Sequence, residues 1–192
     1  MIPITQGGLQ TTVAAMNIGD YIAARYITTA MTAHGTFSEI GTVDTGTVPV
    51  FTSSALNGYV YLMKISKGVL VSLTQLYSGV TYATMNAVNR IYGSKVTIGG
   101  RDYLVRVPNI NEYITMAGTL GGKLDVADRY TNFNTTSALY EVVQENYNLT
   151  EGGWLFTVTP ATAANSSAYA TARYARLVLE YAEDSKCVDL YH

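Results

Sequence analysis

Polar and apolar positions alternate along several short stretches of this chain, each closed by glycine or proline, and few segments carry a helical period. Gly19-Asp20 opens Tyr21-Ile22-Ala23-Ala24-Arg25-Tyr26-Ile27, a period-two segment that predicts a strand. Thr36-Phe37-Ser38-Glu39-Ile40, set between Gly35 and Gly41, predicts a short second one, and residues 42–57 with Pro49 read as loop or edge. Gly58 to Ile65 and Val69 to Leu73 flank Ser66-Lys67-Gly68, a three-residue loop with a glycine for positive φ, which signals a β-hairpin. A second hairpin is predicted over Lys95 to Val107, turning at Gly99-Gly100. Toward the end, Gly152-Gly153-Trp154-Leu155-Phe156-Thr157-Val158-Thr159 and Arg176-Leu177-Val178-Leu179-Glu180-Tyr181 read as two facing strands, with a final short strand at Cys187 to Tyr191. Trp154 and Arg176 are expected to be the structural anchors of that closing sheet, with the indole buried.

Helical spacing shows in three places. Thr81 to Tyr92 puts Tyr82, Met85, Val88 and Tyr92 near one face, with Thr81 or Ser78 as cap and Gly93 as stop. Asn111 to Ala117 gives one or two turns ending at Gly118, and Thr136 to Asn146 places Leu139, Val142 and Val143 together. Leu120 to Asn134, with Gly121-Gly122 and no sustained period, predicts a long surface loop. Helices that interrupt strands without regular alternation predict an α+β fold with a mainly antiparallel sheet and a few short helices, an all-β sandwich being the alternative. Residues 1–17, polar and Thr-rich, read as an N-terminal arm, and residues 18–192 read as a single α+β domain, with sub-lobes 18–92 and 93–192 as an option within it.

Composition changes the picture in two ways. Only 14% of the residues are charged while 16 are tyrosine, so hydroxyls and amides keep the surface wet, and such surfaces suit packing against other subunits or glycans. A net charge of -2 gives no electrostatic reason for nucleic-acid binding, and Lys95, Arg101 and Arg106 alternate with apolar residues as a solvated strand face does. The single cysteine, Cys187, excludes an intramolecular disulfide and a multi-cysteine zinc cage. No basic stretch precedes an apolar core in residues 1–10, which predicts no signal peptide, and no apolar run reaches bilayer length, which predicts no membrane insertion.

Candidate chemistry is sparse. His34 in a loop and His192 at the end of the sequence read as exposed residues without catalytic partners. Asp125 with Asp128, and Glu183 with Asp184, lack the Asp/Asn alternation and central glycine of a calcium loop. Glu141 and Glu145 read as a solvated helix face, and the Gly-Gly pairs as turns rather than phosphate loops. These features predict no catalytic, cofactor or metal residues. The loop Thr159 to Thr171, built from small hydroxyls and amides, has the composition of an interaction surface, with Thr159, Asn165, Ser166, Ser167, Tyr169 and Thr171 as its contact residues; a plain connection between strands is the competing reading.

Gly19-Asp20-Tyr21-Ile22-Ala23-Ala24-Arg25-Tyr26, Gly35 to Gly41, Gly58-Tyr59-Val60-Tyr61 running into Lys67-Gly68-Val69-Leu70-Val71, Tyr82 to Asn86, Ala138 to Glu145, Tyr174 to Tyr181 and Lys186 to Tyr191 together resemble virion proteins of tailed bacteriophages and related prophages. Their second half looks like a C-type-lectin fold of the kind shared with sulfatase-modifying enzymes, and Tyr174-Ala175-Arg176-Leu177-Val178-Leu179 stands where such domains carry their closing strand. The oxidising branch of that fold needs paired cysteines or a metal, and the sugar-binding branch needs calcium ligands in a Glu-Pro-Asn or Trp-Asn-Asp setting; this chain has neither. The resemblance therefore implies a non-enzymatic virion structural protein, made in the host cytoplasm and displayed on the tail, collar or capsid exterior. Other virion proteins and further copies of the chain would be its partners. A receptor-binding module reading a host surface glycan is the second reading, and a hydrolase or oxidoreductase with scattered residues the third.

Overall fold

The computed structural model describes residues 3–4, 7–29, 34–41, 56–116, 120, 123–124, 141–142, 144, 155–156, 163–164 and 173–182. In chain order the described strands are β1 (Pro3–Ile4), β2 (Leu9–Gln10), β3 (Tyr21–Thr28), β4 (Thr36–Ile40), β5 (Leu56–Ser66), β6 (Val69–Ser72), β7 (Tyr77–Val80), β8 (Ser94–Ile98), β9 (Arg101–Arg106), β10 (Lys123–Leu124), β11 (Glu141–Val142), β12 (Leu155–Phe156), β13 (Ala163–Ala164), β14 (Arg173–Ala175) and β15 (Val178–Glu180). Two short helices, α1 (Tyr82–Ala87) and α2 (Ile110–Ile114), interrupt them. The architecture is a mainly-sheet α+β fold.

The larger sheet follows the order β2-β3-β5-β6-β15-β9-β8, with β4 also on β3. It curls, because neighbouring strands in a long ladder twist relative to one another, and the concave side fills with apolar side chains. Ile22, Ala24 and Tyr26 of β3, Val60 and Leu62 of β5, Leu70 of β6, Tyr103 and Val105 of β9 and Leu179 of β15 form that interior core. Alternation puts the intervening residues on the convex side, where Met63, Ile65, Val71 and Val178 pack under Tyr113 and Met116 of the α2 segment. A smaller sheet has the order β13-β12-β11-β14-β7.

Both hairpins form, with one difference of geometry. The first turns on Lys67-Gly68 alone, with Gly68 at φ +70°, and its missing third loop residue is absorbed as a register shift between Lys64 and Ser66. In the second, Gly99 and Gly100 both take left-handed φ (57° and 81°), which a two-residue I′ turn requires. Both helices are capped as their sequences allow: Thr81 accepts from the Thr84 amide and Asn109 from the Glu112 amide, each in a reciprocal box.

Several expectations are corrected. The helix over Thr81 to Tyr92 stops at Ala87, because Asn89 takes a left-handed φ of 56° that turns Arg90 and Ile91 inward and leaves Tyr92 exposed. Within the helix expected over Thr136 to Asn146, Glu141–Val142 is a strand, drawn into extended backbone by partners on both edges, Phe156 and Leu155 on one and Tyr174 on the other. The long surface loop from Leu120 begins with a buried Leu120, and its Lys123–Leu124 pairs with Pro3–Ile4. The described part of the 1–17 arm belongs to the domain: Leu9–Gln10 joins β3 in parallel and Val13 and Met16 enter the interior core. Arg106 is not on a solvated face, since α2 covers it. The closing strand Arg176 to Tyr181 is likewise not continuous and does not face Leu155–Phe156, which pairs with β11 and β13.

What replaces it is a corner. The chain leaves β14 in the smaller sheet, passes Arg176-Leu177 and enters β15 in the larger one, while β6 and β7 make the opposite passage beside it. The two passages are bonded to each other: Ser72 N donates to Leu177 O (2.9 Å), Leu177 N to Ser72 Oγ (3.0 Å) and Leu76 N to Ala175 O (2.8 Å). Arg176, with no exposed surface, donates from Nη1 to Ser72 O at 3.3 Å. Close by, the buried Thr74 hydroxyl has no hydrogen-bond partner. Ser72→Ala is therefore expected to cost about 1–3 kcal/mol by orphaning the Leu177 amide, whereas Thr74→Val is expected to be neutral or stabilising. Urea unfolding of the two variants checks the difference.

Candidate functional site

Both faces of β3 carry polar aromatic chemistry. On the convex face, Tyr21 lies edge-on to Tyr61 of β5, their ring centroids 5.4 Å apart. Further along the same face Arg25 donates from Nε to Asn57 Oδ1 (2.9 Å) and from Nη1 to Glu39 Oε1 (3.1 Å), and the Tyr59 hydroxyl donates to Glu39 Oε2 (3.1 Å). This row follows from register, because Arg25 lies opposite both Glu39 on β4 and Tyr59 on β5. Ile27 stands exposed at its end. The result is a charge-balanced face of tyrosines and one ion pair.

On the concave face, Tyr26 is wholly buried against Phe37 (5.0 Å between centroids) and Tyr77 (6.4 Å). Gly35 is needed here, since any Cβ at that position would overlap the phenol end of Tyr26. The exposed His34 ring lies 6.2 Å from Tyr77, and Arg90 Nη2 donates to Gly35 O at 3.4 Å. Burial, and then the Tyr77 hydroxyl beside it, push the Tyr26 phenol well above its ordinary value. His34 is held below the ordinary imidazole range, first by desolvation and then by the Arg90 charge. A phenol that resists ionisation stays a neutral hydrogen-bonding group rather than a phenolate.

The described carboxylates are committed elsewhere. Glu112 receives Arg106 through two guanidinium bonds (2.7 and 2.5 Å) and Glu180 takes its Nε (2.9 Å). Asp20 accepts from the amides of Gly8 and Asn17 and from the Gln10 side chain, fixing the turn into β3. Asp102 pairs with Lys95 and Thr97 in the second hairpin. Among the described residues no group of three His, Cys, Asp or Glu side chains converges as a metal site would.

Of the residues singled out from sequence, Arg176 lies at the buried corner between the sheets. Thr159, Asn165, Ser166, Ser167, Tyr169, Thr171 and Trp154 lie outside the described residues, as do Cys187, His192, Asp125, Asp128, Glu145, Glu183 and Asp184. Tyr26 and Arg90 were not separable in sequence from ordinary strand and turn positions. For Arg106 a signal existed, in the Asn109-x-x-Glu112 box that places a carboxylate over the end of β9.

The raised Tyr26 phenol makes a testable statement. Because its folded value lies above the unfolded one, the stability it contributes is complete below about pH 10 and is lost as pH rises toward the folded value. Tyr26→Phe is expected to flatten the fall in stability above pH 10, read as unfolding midpoints in urea between pH 8 and pH 11.5. No protein-family model matches this chain, and neither does any curated protein or solved structure.

Proposed function

We propose that this chain is a non-enzymatic structural protein of a tailed-phage particle, displayed on the particle exterior and held there by contacts with other virion proteins or with further copies of itself. The observation that carries this reading is the convex face of β3, β4 and β5, where Tyr59 and Tyr61 are half-buried, Ile27 is exposed and Arg25 is already neutralised by Glu39. Rings held by cross-strand pairs lose little entropy on docking, and a face without excess charge loses little solvation. Many copies on a particle multiply a weak contact of this kind. The engagement of Asp20, Glu39, Asp102, Glu112 and Glu180 in structural bonds supports a role without catalysis. Within the same reading the domain is C-type-lectin-like, supported by the resemblance of the Tyr174 to Leu179 segment and by the central place of β15 between β6 and β9.

Purified particles made from the encoding phage or prophage test this. Mass spectrometry is expected to find the chain in the particles, and labelled electron microscopy to find it on their surface; its absence overturns the virion reading. Ile27→Lys is expected to reduce incorporation while changing the stability of the isolated protein by no more than about 0.5 kcal/mol, as for other surface substitutions. Unchanged incorporation of that variant overturns the assigned surface.

A further inference from the structure

The larger sheet comes close to closing on itself. Along β4-β3-β5-β6-β15-β9-β8 all six pairings are antiparallel, so β4 and β8 at the two ends run in the same direction. Their Cα atoms come within 8 Å, yet no hydrogen-bonded ladder joins them. At the end where both strands start, one side chain spans the gap. Arg90 donates from Nη2 to the carbonyl of Gly35, the residue before β4, and from Nη1 to the hydroxyl of Ser94, the first residue of β8. Phe37 of β4 and Ile98 of β8 both belong to the interior core.

Arg90 is buried, 9% exposed, and its Nε has no partner. No described carboxylate pairs with it. His34 is the adjacent group able to change charge, one residue from Gly35. The groups facing it are Tyr77 from β7, Arg90 from the turn after α1 and, behind Tyr77, Tyr26 from β3. Neither burial nor the Arg90 charge favours an imidazolium here, and Tyr26 cannot ionise to offset one.

We propose that the β4–β8 seam is an acid-released latch, tied by Arg90 while His34 is neutral and loosened when a protonated His34 places a second cation beside the buried guanidinium. Its sign follows from linkage. The imidazole binds its proton more readily once the seam is open, so opening is at its lowest above the ordinary value of 6.5 and increases as pH falls through the depressed folded value. His34 is exposed enough for salt to screen the repulsion.

Hydrogen exchange on the full chain, corrected for the intrinsic pH dependence of amides, tests the latch. Between pH 7.5 and pH 5, protection of residues 36–40 and 94–98 is expected to fall several-fold relative to residues 59–72. His34→Gln is expected to keep its protection at pH 5, and 0.5 M NaCl to reduce the wild-type loss. Arg90→Ala is expected to lower protection of both strands at either pH and to abolish the pH dependence; if that variant does not fold, His34→Gln and the salt series decide alone. The proposal is overturned if wild type and His34→Gln lose protection equally, or if the loss is uniform over the sheet.

Discussion

Everything in the larger sheet depends on a strand that arrives last. Val178–Glu180 lies between Val69–Ser72 and Arg101–Arg106, so two hairpins that form locally become one sheet only when a segment some 75 to 110 residues away along the chain docks between them. Without it, both inner edges present unpaired amides and carbonyls, and Leu70, Val105 and Leu179 lose their common core. The corner at Arg176-Leu177 fixes where that strand enters, because the Leu177 amide and carbonyl are both bonded to Ser72. Long-range pairing of this kind costs loop entropy before it returns any contact.

The same need explains how a chain with few charges uses its buried cations. Arg176 donates to Ser72 O, Lys64 to Met16 O, Arg90 to Gly35 O and Arg106 to Val107 O. Each target is a main-chain carbonyl near the end of a strand or turn, and Arg176, Lys64 and Arg90 reach theirs from another element and so join the two. Arg106 goes further, since Glu112 and Glu180 compensate its charge while α2 is locked over β9. Among the described residues no carboxylate pairs with Arg90, which is the ground of the proposed latch.

This division of labour bears on the functional reading. Charges turned inward or paired leave the convex face of β3, β4 and β5 to tyrosine, isoleucine and one neutralised arginine. Such a face is the one on which the proposed docking rests. The alternation of β3 links that outer surface to the interior, because Arg25 and Tyr26 are successive residues of a single strand.

The sequence by itself determined the local elements: the alternation in Tyr21–Thr28, the glycine turns of both hairpins, and the Thr81 and Asn109 caps are set by backbone sterics and by side chains bonding their nearest neighbours. It also held the pattern that separates the two faces of β3. Only the tertiary structure decided that Glu141–Val142 is a strand, that Val13 and Met16 leave an apparently polar arm for the core, that Arg90, Arg106 and Arg176 are buried, and that the closing strand breaks at a corner. The reason is physical. Turns and caps are satisfied within a few residues, whereas Ser72 for Arg176, Gly35 for Arg90 and Glu180 for Arg106 lie tens of residues away, as do the partners of the edge strands, and no local period records such pairings.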